Sequence, residues 1–340
     1  MPLASLWDKA FAYLHHYYAD WSWRQLTHVV NDPDSWLAWP YMLSALVVMW
    51  LVFRRSRAAG SFAAFVAPRA IYGHPSALVD YRYVSVDIVL NSLLFAPFMT
   101  CLSAAVYIAV GAVCPVLVLD GSGTALWIRS ALLTIITLLV SDFAFFLAHY
   151  VMHRSVFLWH FHEVHHSAKV LTPVTVYRVH PVERAVNAVV GGVVTGIAGA
   201  LYNSWIGKDV TAVTLFGVNV VLLAVFMLWS QLRHSHVWLA YPRVLSHVLI
   251  SPAQHQIHHS IDPRHHDKNF GVVFALWDWA FRCLYIPRDR EALEFGVDAR
   301  PEDFATVRKL YCLPFVKASR TIAAGLRRQR RMPVEATAPR

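Results

Sequence analysis

Charge is scarce in this chain. Asp, Glu, Lys and Arg make up 15% of its 340 residues, where a soluble globular domain carries about 25%. Acidic residues are the scarcer sign, 21 against 30 basic ones, for a formal net charge of +9. No basic face with interleaved aromatics accompanies that excess, so nucleic-acid binding is set aside. Cysteine is limited to Cys101, Cys114, Cys283 and Cys312, widely spaced and without a CxxC. That excludes a zinc ribbon and a disulfide framework. No GxGxxG, CxxCH or cysteine cluster is present, so no flavin, haem or iron–sulfur motif is visible. The N-terminal residues lack a continuous apolar run, and no cleavable signal peptide is expected. No tandem repeat appears at a solenoid period.

What is abundant is apolar surface. Hydrophobic residues reach 57% and the mean hydropathy is +0.42, which points to an all-α integral membrane bundle. A spanning helix needs about 20 mostly apolar residues. Five stretches qualify: 36–53, a run within 88–119 broken near Pro97 and Pro115, 126–148, 186–202 and 210–229. The fourth is rich in small residues (Gly191, Gly192, Gly196, Gly199) that allow helices to approach closely. A count of four to five spans is therefore expected. Arg54, Arg55 and Arg57 place the end of the first span in the cytosol by the positive-inside rule. Alternation then puts residues 154–184 and everything after Arg233 on that same side. Three regions follow: 1–85 with the first span, 86–290 as the membrane-embedded catalytic domain, and 291–340 as a basic tail. Within that tail, 316–331 reads either as a basic amphipathic helix on the membrane surface or as a solvated segment.

Histidine is the outlier. There are 19, and 15 of them fall in two windows, 149–180 and 234–266. The first window opens with the HxxxH pair His149 and His153. It continues with His162-Glu163-Val164-His165-His166, an HxxHH frame, and with His180. The second window repeats the frame as His255, His258 and His259, preceded by His234. Spacings of three and four put the imidazoles of each frame on one helix face. One tetrahedral metal takes about four ligands, so eight framed imidazoles suit two metals. Imidazole suits Zn, Fe, Cu or Ni, and residue type alone does not name the metal. Asp142, an acid inside an apolar span, is a functional candidate by position, expected to orient a ligand histidine. Glu163 is a weaker candidate for the same role. Arg154, Lys169 and Arg178 are expected to form a basic docking surface near the site.

Two other readings compete. His162-Glu163-x-x-His166 matches the HExxH frame of zinc proteases, but His255-Gln256-x-x-His259 repeats the histidines without the glutamate. A metal transporter with histidine-rich gates would need polar ligands deep in several spans, and these spans hold little beyond Asp142.

The run from His149 to Arg154, then Leu158-Trp159-His160-Phe161-His162-Glu163-Val164-His165-His166-Ser167, resembles the fatty acid hydroxylase superfamily. That superfamily includes sterol desaturases and C4-methyl sterol oxidases. Arg178-Val179-His180-Pro181, Ser251 to Ser260, Lys268-Asn269-Phe270-Gly271 and Leu276-Trp277-Asp278 fit its later segments. The likeness covers roughly 142–287. It implies a cytosol-facing, non-haem di-iron site. The family ligands map onto His149, His153, His162, His165, His166, His255, His258 and His259, with His234 as a ninth. His180 is implied as a ligand or a residue behind the ligands. At the second position after His234 this chain has His236, where many relatives carry asparagine. The implied activity is hydroxylation or desaturation of a lipid-like substrate with two Fe ions and O2. Electrons would come from a separate donor of ferredoxin or cytochrome b5 type.

Overall fold

The computed structural model describes residues 38–56, 60–114, 123–206, 210–215, 218–228, 230–300 and 302–331. It is mostly helical. Helix α1 spans Trp39–Ser56. Helices α2 (Pro75–Leu90) and α3 (Ala96–Val113) are joined by a π-helical turn, Asn91–Phe95. That wider turn absorbs Pro97, so the chain does not break there. Helix α4 is Leu126–Arg154, α5 is Val156–His166 and α6 is Pro181–Ile206. Among the described residues the only ladder is a two-stranded antiparallel hairpin, β1 (Thr214–Leu215) with β2 (Val218–Asn219). Helix α7 (Val220–Leu228), the short α8 (Pro252–His258) and α9 (Val307–Arg331) follow, and helical segments of five residues or fewer lie between the labelled ones.

Among the described residues three helical runs are long and apolar enough to cross a membrane: Pro75–Val113, Leu126–Arg154 and Pro181–Tyr202. The 29-residue α4 is about 43 Å long at 1.5 Å per residue. A hydrocarbon core is about 30 Å thick, so α4 is longer than that layer by about two turns, the length of its C-terminal end from 148 on. Those turns bear His149 and His153.

The stretch 210–229, expected as a fifth span, is instead the hairpin followed by a nine-residue helix, about 14 Å long. Asn219 explains the interruption. Its side-chain oxygen accepts the Val221 backbone N–H at 3.0 Å and starts α7, while its amide donates to Thr134 O on α4 at 2.7 Å. The pairing of α3 with α6 depends on two of the four glycines. A Cβ on Gly192 would lie 2.7 Å from Ser103 O, and one on Gly196 would lie 3.0 Å from Tyr107 O.

The described residues after 291 are part of the packed body. Ile261 N–H donates to Glu294 O. Helix α9 begins at Val307 and lies along α5, with Phe315 against Phe161 (ring centroids 5.3 Å apart) and Lys317 Nζ 2.8 Å from Glu163 Oε2. On the other side of the site, Phe146, Phe270 and Cys283 form a buried cluster with Phe143, Tyr150 and Trp277.

Candidate metal centre

Local sequence places each histidine. Ser155 ends α4 and caps α5, its hydroxyl accepting from Leu158 N. This abrupt turn lays the His162, His165 and His166 helix beside the end of α4. Ser251, Pro252 and Gln254 form a capping box that starts α8, and that helix presents His255 and His258, with His259 at its C-cap. His234 follows the turn Ser230–Leu232.

The nine histidines assemble into two groups. His149, His153, His162, His166 and His258 form the first, and His165, His234, His255 and His259 the second. Within each group, one ring nitrogen per residue lies within 4.8 Å of all the others. The groups adjoin: the rings of His166 and His259 stack with centroids 4.6 Å apart. In the second group the Nε2 atoms of His234 lie 3.2, 3.1 and 3.0 Å from those of His165, His259 and His255. In the first, the Nε2 atoms of His149, His153 and His258 are buried with no hydrogen-bond partner.

This geometry fits bound metal. Metal–imidazole bonds are about 2.1 Å, so nitrogens sharing an ion at 90° stand about 3.0 Å apart, and at a tetrahedral angle about 3.4 Å. Inward-facing Nε2 lone pairs require the proton on Nδ1, and several Nδ1 atoms face acceptors. His149 Nδ1 donates to Phe270 O at 2.9 Å and His258 Nδ1 to Lys268 O at 2.7 Å. His162 Nδ1 lies 3.1 Å from Glu183 Oε2, a close contact that is not a well-aligned hydrogen bond. Such outer partners fix tautomer and ring direction at metal sites. Burial also keeps the rings neutral, as ligation demands. It pushes His162 down to about 3 and His165 to about 4. His166, His234, His255, His258 and His259 are lowered well below their usual range by burial first and neighbouring imidazoles second.

The other expected site residues lie outside both groups. Asp142 accepts from Val273 N, Phe274 N and Trp277 Nε1 at 2.8, 3.0 and 2.9 Å. It therefore anchors the 270–277 loop and touches no ligand histidine directly. Glu163 faces α9 and Lys317. His180 has both ring nitrogens engaged, Nδ1 accepting from Val182 N and Nε2 donating to Tyr311 O. His236 donates to Phe65 O, and His266 to Ile261 O.

Arg178 requires a correction. It is 1% exposed, so it takes no part in a docking surface. Its guanidinium pairs with Asp80 at 2.7 Å and donates to Val164 O and Ser167 Oγ. It thus ties the end of α5 to α2. Arg154 and Lys169 remain at the surface.

Sequence reasoning missed two carboxylates that support the ligands. Glu183 stands in the first turn of α6, and an acid at the start of an apolar helix was the available signal. Asp278 accepts Phe270 N at 2.7 Å and Gly271 N at 2.8 Å, and burial pushes its carboxyl up to about 6. The loop it holds turns sharply, with Asp267 and Asn269 at positive φ, and delivers both carbonyls that face His258 and His149.

Nine imidazoles, seven of them buried, gathered in a helical membrane-type bundle fit a histidine-box metal site. Residues 134–283, the segment that holds all nine histidines, match the fatty acid hydroxylase family model. The chain is 25% identical over 173 residues to an alkylglycerol monooxygenase from Caenorhabditis elegans, covering 50% of this chain and 30% of that protein. It is 24% identical over 168 residues to the ornithine lipid hydroxylase OlsE of Rhizobium tropici, covering 49% of this chain and 46% of that protein. The matched segment thus spans less than half of either relative. No solved structure matches.

Proposed function

We propose that this protein is a membrane-bound lipid monooxygenase with a non-haem di-iron centre. The observation that carries the reading is the pair of adjoining histidine groups, whose buried ring nitrogens lack protein partners or crowd one another at 3.0–3.2 Å. Five imidazoles would hold one ion and four the other. Two bound iron ions would supply the redox chemistry for O2 that zinc lacks. Hydroxylation turns one C–H bond of the lipid into C–OH. The second oxygen atom leaves as water, consuming two electrons and two protons. The electrons come from a separate ferredoxin- or cytochrome b5-type donor.

The protein's own part is positioning. Phe270 O, Lys268 O and Glu183 aim three ligand rings, and Asp142 with Asp278 hold the loop that carries two of those partners. The relatives' activities, on an alkylglycerol and an ornithine lipid, support a lipid substrate for this chain. The histidine groups face the cytosol in this reading. Its support is that the arginine-bearing end of α1 packs with Phe62 and Phe65 against Leu232 and Val237, which flank His234. Glu163 weighs against the zinc-protease alternative, because Lys317 occupies the carboxylate that such a mechanism would need as a base.

The test is elemental metal analysis together with Mössbauer spectroscopy of anaerobically purified, 57Fe-enriched protein, with lipid extracts from cells grown under 18O2. Two coupled irons per chain and one 18O atom in a new lipid hydroxyl are expected. A single zinc, or a lipid product without label, would overturn the assignment.

A further inference from the structure

The loop bonded to Asp142 lies at membrane depth. The apolar part of α4, residues 126–148, is about 34 Å long, close to the roughly 30 Å of a hydrocarbon layer. Asp142 stands six residues inside its histidine-bearing end, about 9 Å. Val273 N, Phe274 N and Trp277 Nε1 all donate to its carboxylate, so the chain has returned below the level of the ligands. Irregular backbone at such depth is tolerated only where protein satisfies its polar groups. Here the partners are supplied. Phe270 N and Gly271 N donate to Asp278, Ala275 N to Val248 O and Ile250 N to Val273 O.

The two sides of this unit differ. On the inner side, Val273 packs with Tyr41 and Phe226, and Leu249 and Phe274 lie against the same cluster. On the outer side, the turn Arg243–Ser246, Val248 and the stretch from Leu276 to Phe281 expose Val244, Leu245, Val248, Leu276, Trp279 and Phe281. Val244 is 81% and Trp279 69% exposed. A water-facing surface scatters its large apolar residues singly, and a gathered set marks an interaction site. The edge is continuous with a span. Phe281 contacts Phe146 and Tyr150 of α4, with ring centroids 5.0 and 5.2 Å apart, and Phe145 beside them is exposed. Charge points the same way. Residues 234–261 contain no Asp or Glu, and 268–288 contain only Asp278, which is buried. The exposed charges beside the apolar side chains, Arg243 and Arg282, are both basic.

We infer that 243–249 and 276–282 form an apolar edge inserted into the leaflet on the histidine side of the membrane. Its partner is a lipid surface: acyl chains meet the six apolar side chains, and anionic headgroups meet Arg243 and Arg282. Long basic side chains reach headgroups from apolar surroundings, and tryptophan favours this boundary. The segment after His234, expected from charge to stay wholly outside the bilayer, dips back into it. Asp142 and Asp278 make the dip possible by taking the backbone N–H groups that lipid cannot. The loop that aims His149 and His258 is thereby clamped between α4 and lipid. This inference needs α4 to span the membrane and needs no particular reaction.

The test uses the full-length protein in vesicles of phosphatidylcholine and phosphatidylglycerol. Cys101→Ala, Cys114→Ala and Cys312→Ala leave Cys283, which is buried. In that background, Val244→Cys and Trp279→Cys each carry a nitroxide. Phe145→Cys on the span serves as the lipid-facing reference and the exposed Ala292→Cys as the water-facing one. Spin relaxation at 244 and 279 should respond to dissolved O2 as at 145, and a water-soluble nickel chelate should reach them several-fold less than it reaches 292. Equal access of the chelate at 244, 279 and 292 overturns the inference. So does spin–spin broadening at 244 or 279 that fades on dilution with unlabelled protein, because a second copy of the chain then covers the edge. A bimane at Val244→Cys gives a separate reading should the change at Trp279 disturb folding. Bromines near the head end of the acyl chain should quench it more than bromines near the terminal methyl, and the reverse order would also overturn the inference. Neither measurement depends on iron or on a hydroxylated product, so failure of the monooxygenase reading would leave this result standing.

Discussion

Glu183 offers the sharpest check on the metal centre, because only the fold connects it to a histidine. Its carboxylate is 7% exposed and lies 3.1 Å from His162 Nδ1. Replacing the outer partner of a ligand histidine usually costs 10–100-fold in metal affinity, or about 1.4–2.7 kcal/mol. Glu183→Gln keeps an oxygen acceptor but removes the charge that favours an electron-rich imidazole. Because the native contact is not well aligned, the expected loss is near the low end, about tenfold. Glu183→Ala removes the acceptor as well and leaves His162 free to turn, so its loss should approach about 100-fold. The assay is competition with a graded series of chelators, followed by metal counting per chain, with circular dichroism confirming unchanged helix content. Since Glu183 acts on the five-histidine group, one metal should leave well before the other. Wild-type affinity in both variants, or simultaneous loss of both metals, would refute the account of His162.

Further outcomes follow from the same geometry. Gly271→Ala should destabilise the protein by about 1–3 kcal/mol, since its Cβ would lie 2.6 Å from Phe274 O and 2.7 Å from Asp278 Oδ2; a thermal melt of the detergent-solubilised protein measures this, and an unchanged midpoint would contradict it. Lys317→Met takes the cation from the Glu163 carboxylate, which is 6% exposed beside a lysine that is 23% exposed, and leaves it His160 Nδ1 at 3.5 Å. Solvent screening reduces the usual cost of breaking a buried pair to about 1–2 kcal/mol, and amide exchange should quicken across α9 and α5. His258→Ala should lose metal and activity, whereas His74→Ala, which alters only the N-cap of α2, should keep both; equal metal content in the two variants would count against the site.

Much of the centre could be read from the sequence because helical periodicity is local. Spacings of three and four fix which imidazoles share a face, whatever the rest of the chain does, and all nine candidate histidines meet in the folded protein. Residues whose role depends on distant partners were less accessible. Arg178 looks like a membrane-flanking cation until Asp80, 98 residues earlier, is packed against it. Asp142 was conspicuous as an acid among apolar residues, but its partners Val273, Phe274 and Trp277 lie more than 130 residues away. The segment 210–229 has the hydropathy of a span, yet Asn219 finds Thr134 on another helix and interrupts it. Hydropathy measures affinity for an apolar medium and carries no record of which backbone groups a neighbouring helix will satisfy.

The docking of α9 on α5 has a consequence for biogenesis. Helix α5 contributes three of the histidines, and it lies against a segment made some 150 residues later, as the contact of Lys317 with Glu163 shows. Chains emerge from the ribosome N-terminus first. The pocket's outer wall is thus among the last parts of the described chain to be synthesised, and ions that arrive earlier meet an unfinished vessel. In the proposed di-metal enzyme, cofactor loading would be a late event, completed when α9 closes the wall behind the ligands.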